Sequence, residues 1–174
     1  MKIIVNKKNL IPDGTWMNFN KVRAIIENSN GEIAISSEGG KLIFPGGKVD
    51  KGEAILPAIQ RELLEETGIL FEEDELKQIL ELETYYDDFY DYRSKSIKPR
   101  YTLTTYFYVK TDKKIDLSKL NLTEEEKSQN FKIRFLNKEK LFNLLSVDHS
   151  NEENGKFFDE ENHIILDTVL KTRK

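Results

Sequence analysis

The sequence predicts an α+β or mixed α/β fold, and three observations carry that expectation. Short β-rich runs appear early, at 21–28, 32–36 and 41–45, and longer ones later, at 76–86, 101–109 and 131–136. One strongly patterned helix spans about Glu53 to Thr67, and two more helical stretches, 138–145 and 159–172, close the chain. No regular alternation of strand and helix is visible, so a purely parallel sheet is not expected.

The first two runs, "KVRAIIEN" and "EIAIS", are separated by the turn signal "SNG" and read as a hairpin. "KLIFP" ends where Pro45 removes a backbone donor, and Gly46 and Gly47 follow as a loop. In the helix, Ile55, Ala58, Ile59, Leu63 and Leu64 form the apolar stripe, and Gly68 supplies the stop. Pro57 is tolerated if the helix begins near Ala54, because first-turn amides have no helical acceptor. In "YTLTTYFYV" the side chains of Leu103, Phe107 and Val109 share one face, and Thr102, Thr104, Tyr106 and Tyr108 the other. The segment 87–100 between the two long strands reads as a loop or hairpin tip.

The totals narrow the function. A chain of 174 residues has one domain, 1–174, as its natural prior. A domain of that size buries ~70% of the surface its unfolded chain exposes. Hydrophobic residues make up 38% and charged residues 33%, with a formal net charge of −4. That balance argues against an extended nucleic-acid track. The absence of cysteine excludes disulfides, thiolate metal sites and a cysteine nucleophile. The apolar run Ile3–Val5 is too short for a signal-peptide core and no later run could span a membrane, so the expected location is cytoplasmic.

The chemistry concentrates in "FPGGKVDKGEAILPAIQRELLEETGIL", residues 44–70. Glu62, Glu65 and Glu66 lie three and four residues apart and share a helix face. Left alone, each like-charge pair costs ~0.2–0.5 kcal/mol. Arg61, another basic residue or a bound cation could compensate, and a solvated acidic face is the bland alternative. Carboxylates at this spacing suit a hard divalent ion, which takes oxygen ligands and completes its shell with water and phosphate.

The stretch resembles the Nudix box of the MutT-like hydrolases. Gly47, Glu53, Arg61, Glu62, Leu63, Glu65, Glu66, Gly68 and Ile69 stand at the defining positions, so the complete box runs from Gly47 to Ile69. The resemblance implies an α/β/α sandwich with a mixed β-sheet flanked by helices. It implies a pyrophosphohydrolase that cleaves a nucleoside diphosphate linked to another moiety by water attack on phosphorus. It also implies Mg²⁺ or Mn²⁺, with Glu62, Glu65, Glu66 and the Gly46 carbonyl as ligands and Glu53 and Arg61 orienting the site. The general base would be a box glutamate, Glu62 or Glu65, or a later acid among Glu124, Glu125 and Glu126; Thr123 before them also fits a helix start.

Substrate choice lies outside the box. Tyr85, Tyr86, Phe89, Tyr90, Tyr92 and Tyr106 could meet a base, and Arg93, Lys95, Lys98 and Arg100 could hold phosphate. The region "ETYYDD" lacks the proline associated with ADP-ribose specificity, and Tyr85 and Tyr86 fit the tyrosine of dinucleoside polyphosphate hydrolases. A dinucleoside polyphosphate, a nucleoside triphosphate or a nucleotide sugar would all fit. Two other readings are a non-catalytic nucleotide sensor and an enzyme of RNA 5′ ends. The intact box disfavours the first and the acidic balance disfavours the second. The expected partner is a small nucleotide, with no membrane; relatives of this kind often dimerise, and a homodimer is compatible with the sequence. His149 and His163 read as surface residues, and Trp16 as a core edge or a stacking residue.

Overall fold

The computed structural model describes residues 1–149 and 152–171, without the side chain of Glu125. Seven strands form one mixed sheet: β1 (Lys2–Val5), β2 (Met17–Glu27), β3 (Ile33–Glu38), β4 (Lys41–Ile43), β5 (Lys77–Asp91), β6 (Ser96–Lys110) and β7 (Lys132–Leu136). Their order is β1-β5-β6-β2-β3-β4, with β7 paired to β3. β1 runs parallel to β5 and β2 parallel to β6, whereas β5–β6, β2–β3, β3–β4 and β3–β7 are antiparallel. The helices are α1 (Ile55–Thr67), the short α2 (Glu124–Ser128), α3 (Lys138–Leu145) and α4 (Gly155–Ile165), which continues into a π-helical turn, Leu166–Leu170.

Alternation along β2 divides the core. Val22, Ala24 and Ile26 pack with Ala58, Ile59 and Leu63 of α1 and with Phe107 and Val109 of β6. Ile25 points the other way, into a cluster with Leu80, Leu82 and Tyr106, covered by Leu141 and Leu145 of α3 and by Ile165, Leu166, Val169 and Leu170. The sheet is therefore the middle of three layers, as expected. Each fully buried aliphatic side chain stabilises this arrangement by roughly 1.5–3 kcal/mol.

Several elements differ from the sequence expectation. Residues 87–100 are mostly strand: β5 runs to Asp91 and β6 starts at Ser96, leaving 92–95 as the turn. A register irregularity between Tyr86 and Phe89 absorbs the polar pair Asp87–Asp88 that breaks the apolar alternation. In β6 both faces are covered, by α1 over Phe107 and Val109 and by α3 and the end of α4 over Tyr106; Thr102, Thr104, Thr105, Tyr106 and Phe107 are all buried. On α1, Leu64 is 40% exposed, whereas Glu62 and Glu66 are buried at 9% and 2% exposure. The final helix starts earlier than expected, at Gly155. The hairpin of β2 and β3, the short β4 and the helix 138–145 stand where the sequence placed them.

Candidate active site

The site forms where α1, the loop after β4 and the ends of β3 and α2 meet. The segment Pro45–Val49 runs along β2: Ala24 N–H donates to the Pro45 carbonyl (2.8 Å), Val22 N–H to Gly47 (3.0 Å) and Val49 N–H to Asn20 (3.0 Å). Gly46 has φ +128°, and a Cβ there would overlap the Val22 carbonyl oxygen. A Cβ at Gly47 would overlap the Glu62 carboxylate. Glycine at both positions thus lets the backbone run between β2 and α1.

α1 starts at Ala54, its N-cap, so Pro57 falls in the first turn. Gly68, left-handed at φ 69°, ends it and donates to the Leu64 carbonyl at 3.0 Å. Two further backbone bonds fix this end: Asp116 N–H to Thr67 O and Asn121 N–H to Glu65 O, both 2.9 Å. They lead the chain across the helix terminus into α2.

Arg61 is the hub of the box. Its guanidinium holds Glu53 in a fork, Nε to Oε1 at 2.9 Å and Nη2 to Oε2 at 2.8 Å. It also donates to Glu62 (2.8 Å), Glu65 (3.3 Å) and the Lys48 carbonyl (3.0 Å). The fork holds the Glu53 carboxyl down at about 2, chiefly through the hydrogen bonds from Arg61. Glu62 behaves oppositely: burial raises its pKa despite Arg61. Arg61 thus ties Glu53, Glu62 and Glu65 into one network, in which Glu62 is a recessed carboxylate of raised proton affinity.

Glu66 lies deeper. Its Oε2 accepts the Gly46 N–H at 2.9 Å. Burial pushes its carboxyl up to about 8, although Arg23 and the Gly46 amide pull it down. Carboxylate oxygens of Glu38, Glu66 and Glu126 lie within 4.8 Å of one another. Glu38 ends β3, and Glu126 stands in α2. A capping box orients Glu126: its carboxylate accepts from the Thr123 amide (2.5 Å) and hydroxyl (2.7 Å), and the hydroxyl accepts from Glu126 N–H (3.3 Å). A backbone bond from Gly39 to the Gln129 carbonyl (2.9 Å) ties the turn after Glu38 to the end of α2.

The donor set fits a divalent cation. Three hard oxygen ligands converge, one so buried that its charge is disfavoured without a counter-ion. Glu38 is the member that sequence reasoning missed. It lies upstream of the box, at the end of β3, and the strand pairing turns it toward Glu66. Of the late acids, Glu126 joins the cluster, Glu124 pairs with Lys127 at 2.7 Å on the surface, and the Glu125 side chain lies outside the described residues. The Gly46 carbonyl accepts from Arg23, whose guanidinium also donates to the Phe44 carbonyl at 3.0 Å. Arg23 is a second residue that the sequence did not mark.

The expected substrate residues separate. Tyr85 and Tyr86 point to opposite faces. Tyr85 packs with Trp16 and Tyr101 and donates to Glu83 at 2.9 Å, and its hydroxyl is raised to about 12, first by burial. Tyr86 lies against Phe157 of α4, ring centroids 4.1 Å apart, and donates to Glu160 at 2.8 Å. Tyr106 is in the core and donates to Glu161. Arg93 stands in the exposed turn. Arg100 is recessed between Phe19 (4.9 Å) and Phe89 (4.1 Å). Lys98 pairs with Asp91 at 2.7 Å. His149 joins Asp159 at 2.7 Å and so ties the preceding segment to α4, while His163 is exposed. A cleft of about 300 Å³, lined by Ser37, Lys41, Arg134, Leu145, His149 and Phe158 among others, opens between β3, β4 and the α3–α4 layer. Among the described residues, no helix is long and apolar enough to cross a membrane.

The NUDIX domain family matches residues 17–160. The 8-oxo-dGTP diphosphatase of Escherichia coli K12 is 43% identical over 65 residues, which are 34% of this chain and 50% of that protein. The match therefore spans only half the length of that relative. A bifunctional NMN adenylyltransferase/ADP ribose pyrophosphatase from Francisella tularensis superposes with a TM-score of 0.55 at 21% identity, over 87% of this chain and 41% of that one. A MutT protein from Bacillus halodurans superposes with a TM-score of 0.53 at 18% identity, over 83% of this chain and 82% of that one. At these identities the solved structures speak for the fold. The family match covers most of the chain and includes the whole box: the protein belongs to the Nudix family.

Proposed function

We propose that the protein is a divalent-metal-dependent pyrophosphohydrolase that cleaves a nucleoside diphosphate linked to another group. The observation that carries this reading is the convergence of Glu38, Glu66 and Glu126 beside the Arg61-braced box. Glu66, with Glu38 and Glu126, would hold Mg²⁺ or Mn²⁺; Glu62 and Glu65, now on Arg61, and the Gly46 carbonyl, now on Arg23, would join them only by exchanging those partners for the cation. A cation bound there would polarise the phosphoryl oxygens and lower the pKa of the attacking water.

The chain's own groups do the rest. Arg61 fixes the rotamers of Glu53, Glu62 and Glu65, so these carboxylates are pre-set before substrate arrives. Glu62 would take the proton of the attacking water, a role its raised proton affinity supports. Arg23 stands beside the Gly46 carbonyl, where a phosphoryl oxygen would gain a charge-assisted bond. The matched relative is named for 8-oxo-dGTP, a nucleoside triphosphate, and such nucleotides belong to the substrate class proposed here.

A hydrolysis panel tests this reading. Nucleoside triphosphates, dinucleoside polyphosphates, nucleotide sugars, ADP-ribose and 5′-triphosphate RNA would be offered with Mg²⁺ and with Mn²⁺, and Glu66→Gln would serve as the blank. Turnover of a small nucleotide that is lost in the blank is expected. Binding without turnover of any of them would favour a nucleotide sensor instead.

A further inference from the structure

Among the described residues, Ser36 carries the one buried side-chain polar atom that the fold leaves without a hydrogen bond. The residue is 1% exposed. Such groups are rare in folded proteins, because an unmade hydrogen bond in the interior costs more than a made one contributes. Packing alone would be served by alanine. Ala34, two residues earlier on the same face of β3, fills its place beneath α1 with a methyl group. Ile43 of β4 and Ile133 of β7 stand in register with Ser36 on either side, and both offer only hydrocarbon to it.

Alternation along β3 sets the direction of the hydroxyl. Ile33 and Ile35 belong to the core under α3 and α4, whereas Ala34 belongs to the core under α1. Ser36 and Glu38 therefore share the α1 side with Ala34. Glu38 is one pleat on from Ser36, roughly 6.6 Å along the strand, and its carboxylate converges with those of Glu66 and Glu126. Ser36 thus lies between the apolar core beneath α1 and the acidic cluster. Glu66 accepts from the Gly46 amide and Glu126 from Thr123, and neither acid bonds to Ser36.

We propose that Ser36 is a positioning residue of the cation site: its Oγ accepts a hydrogen bond from a water bound to the cation that Glu38, Glu66 and Glu126 hold. This rests on the metal-dependent reading above and deepens it. A divalent cation held by three carboxylates completes its shell with water, and water bound to a cation is a strong donor. A serine hydroxyl has lone pairs to accept that bond. The acceptor fixes which way the water turns and tightens the hold on the ion, as groups behind the ligands of metal sites do. Ser36 acts through the water and touches neither the ion nor the substrate. Its hydroxyl, a liability in the metal-free protein, is paired when the ion and its water are bound.

The test is a Mn²⁺ titration followed by electron paramagnetic resonance on the whole chain, with a thermal melt of each metal-free protein. Ser36→Ala is expected to bind Mn²⁺ about tenfold more weakly than wild type. Its metal-free form should melt no lower than wild type, because an unpaired buried hydroxyl has been removed. Ser36→Thr keeps the hydroxyl and should stay within about threefold of wild type. Ser36→Val, isosteric with the threonine variant, gives the same readout as Ser36→Ala if the latter fails to fold. Ser37→Ala, on the opposite face of β3, should bind as wild type does. Wild-type affinity in a folded Ser36→Ala or Ser36→Val protein would overturn the proposal, and so would an equal loss in Ser36→Thr or Ser37→Ala. A wild type that binds no Mn²⁺ would overturn the cation reading itself, whereas equal binding by wild type and Ser36→Ala would overturn only the role of Ser36.

Discussion

The Glu62 carboxylate occupies the space in which a side chain at Gly47 would begin. The glycine loop and the acidic helix are therefore fitted to each other, and the spacing of the motif is a steric fact as well as a chemical one. Gly47→Ala is expected to displace Glu62 and lower kcat by tenfold or more, with a smaller effect on stability because the clash falls on the far end of a flexible side chain. Steady-state kinetics beside a thermal melt would check this. Unchanged kcat in a folded variant would mean that the position of Glu62 does not matter.

Glu66→Gln removes the ionisable carboxyl and preserves shape. Activity should fall by about two orders of magnitude or more. The melting temperature should hold or rise, because burial disfavours the Glu66 carboxylate in the metal-free protein. A large loss of stability would instead mark Glu66 as structural.

The Glu53–Arg61 fork gives a pH signature. The folded-state pKa of Glu53 is about 2, below the ordinary value of 4.5. The fork's contribution is thus fully present above about pH 4.5 and is lost as pH falls through about 2. Urea unfolding of wild type and Glu53→Gln should differ by about 1–2 kcal/mol at pH 7, allowing for partial exposure. The gap should narrow steadily below pH 4.5. A gap that is constant with pH would show that the fork contributes nothing through charge.

Tyr86 fastens α4 to β5 through Glu160 and Phe157. Tyr86→Phe keeps the ring contact and removes the hydroxyl, so a loss of about 0.5–1.5 kcal/mol is expected. Tyr86→Ala should also raise KM more than it lowers kcat, if the loosened α4 borders the substrate. An unchanged KM for every good substrate would place the cleft elsewhere.

The box was legible because its residues are close in sequence and one helical period relates them. Gly46, Gly47, Glu53, Arg61, Glu62, Glu65 and Glu66 all meet in the fold. Glu38 and Arg23 were not legible. "SSEGG" reads only as the end of a strand and a turn, and Arg23 as an ordinary strand residue; β-sheet register and the Gly39–Gln129 bond bring them in. Among the late acids, the spacing of Thr123 and Glu126 carried a capping-box signal that singles out Glu126, and the structure forms that box. The length of β5 was hidden by Asp87 and Asp88, where an irregular register replaces alternation. The burial of Glu62 and Glu66, at the expense of Leu64, runs against hydropathy and marks where function overrides it.

The central claim is that Glu38, Glu66 and Glu126 gather one divalent cation. The most direct measurement is a Mn²⁺ titration followed by electron paramagnetic resonance on wild type, Glu38→Gln, Glu126→Gln and Glu124→Gln. A loss of tenfold or more in affinity is expected for Glu38→Gln and Glu126→Gln, and none for the surface variant Glu124→Gln. Wild-type affinity in folded Glu38→Gln and Glu126→Gln proteins would contradict the assignment.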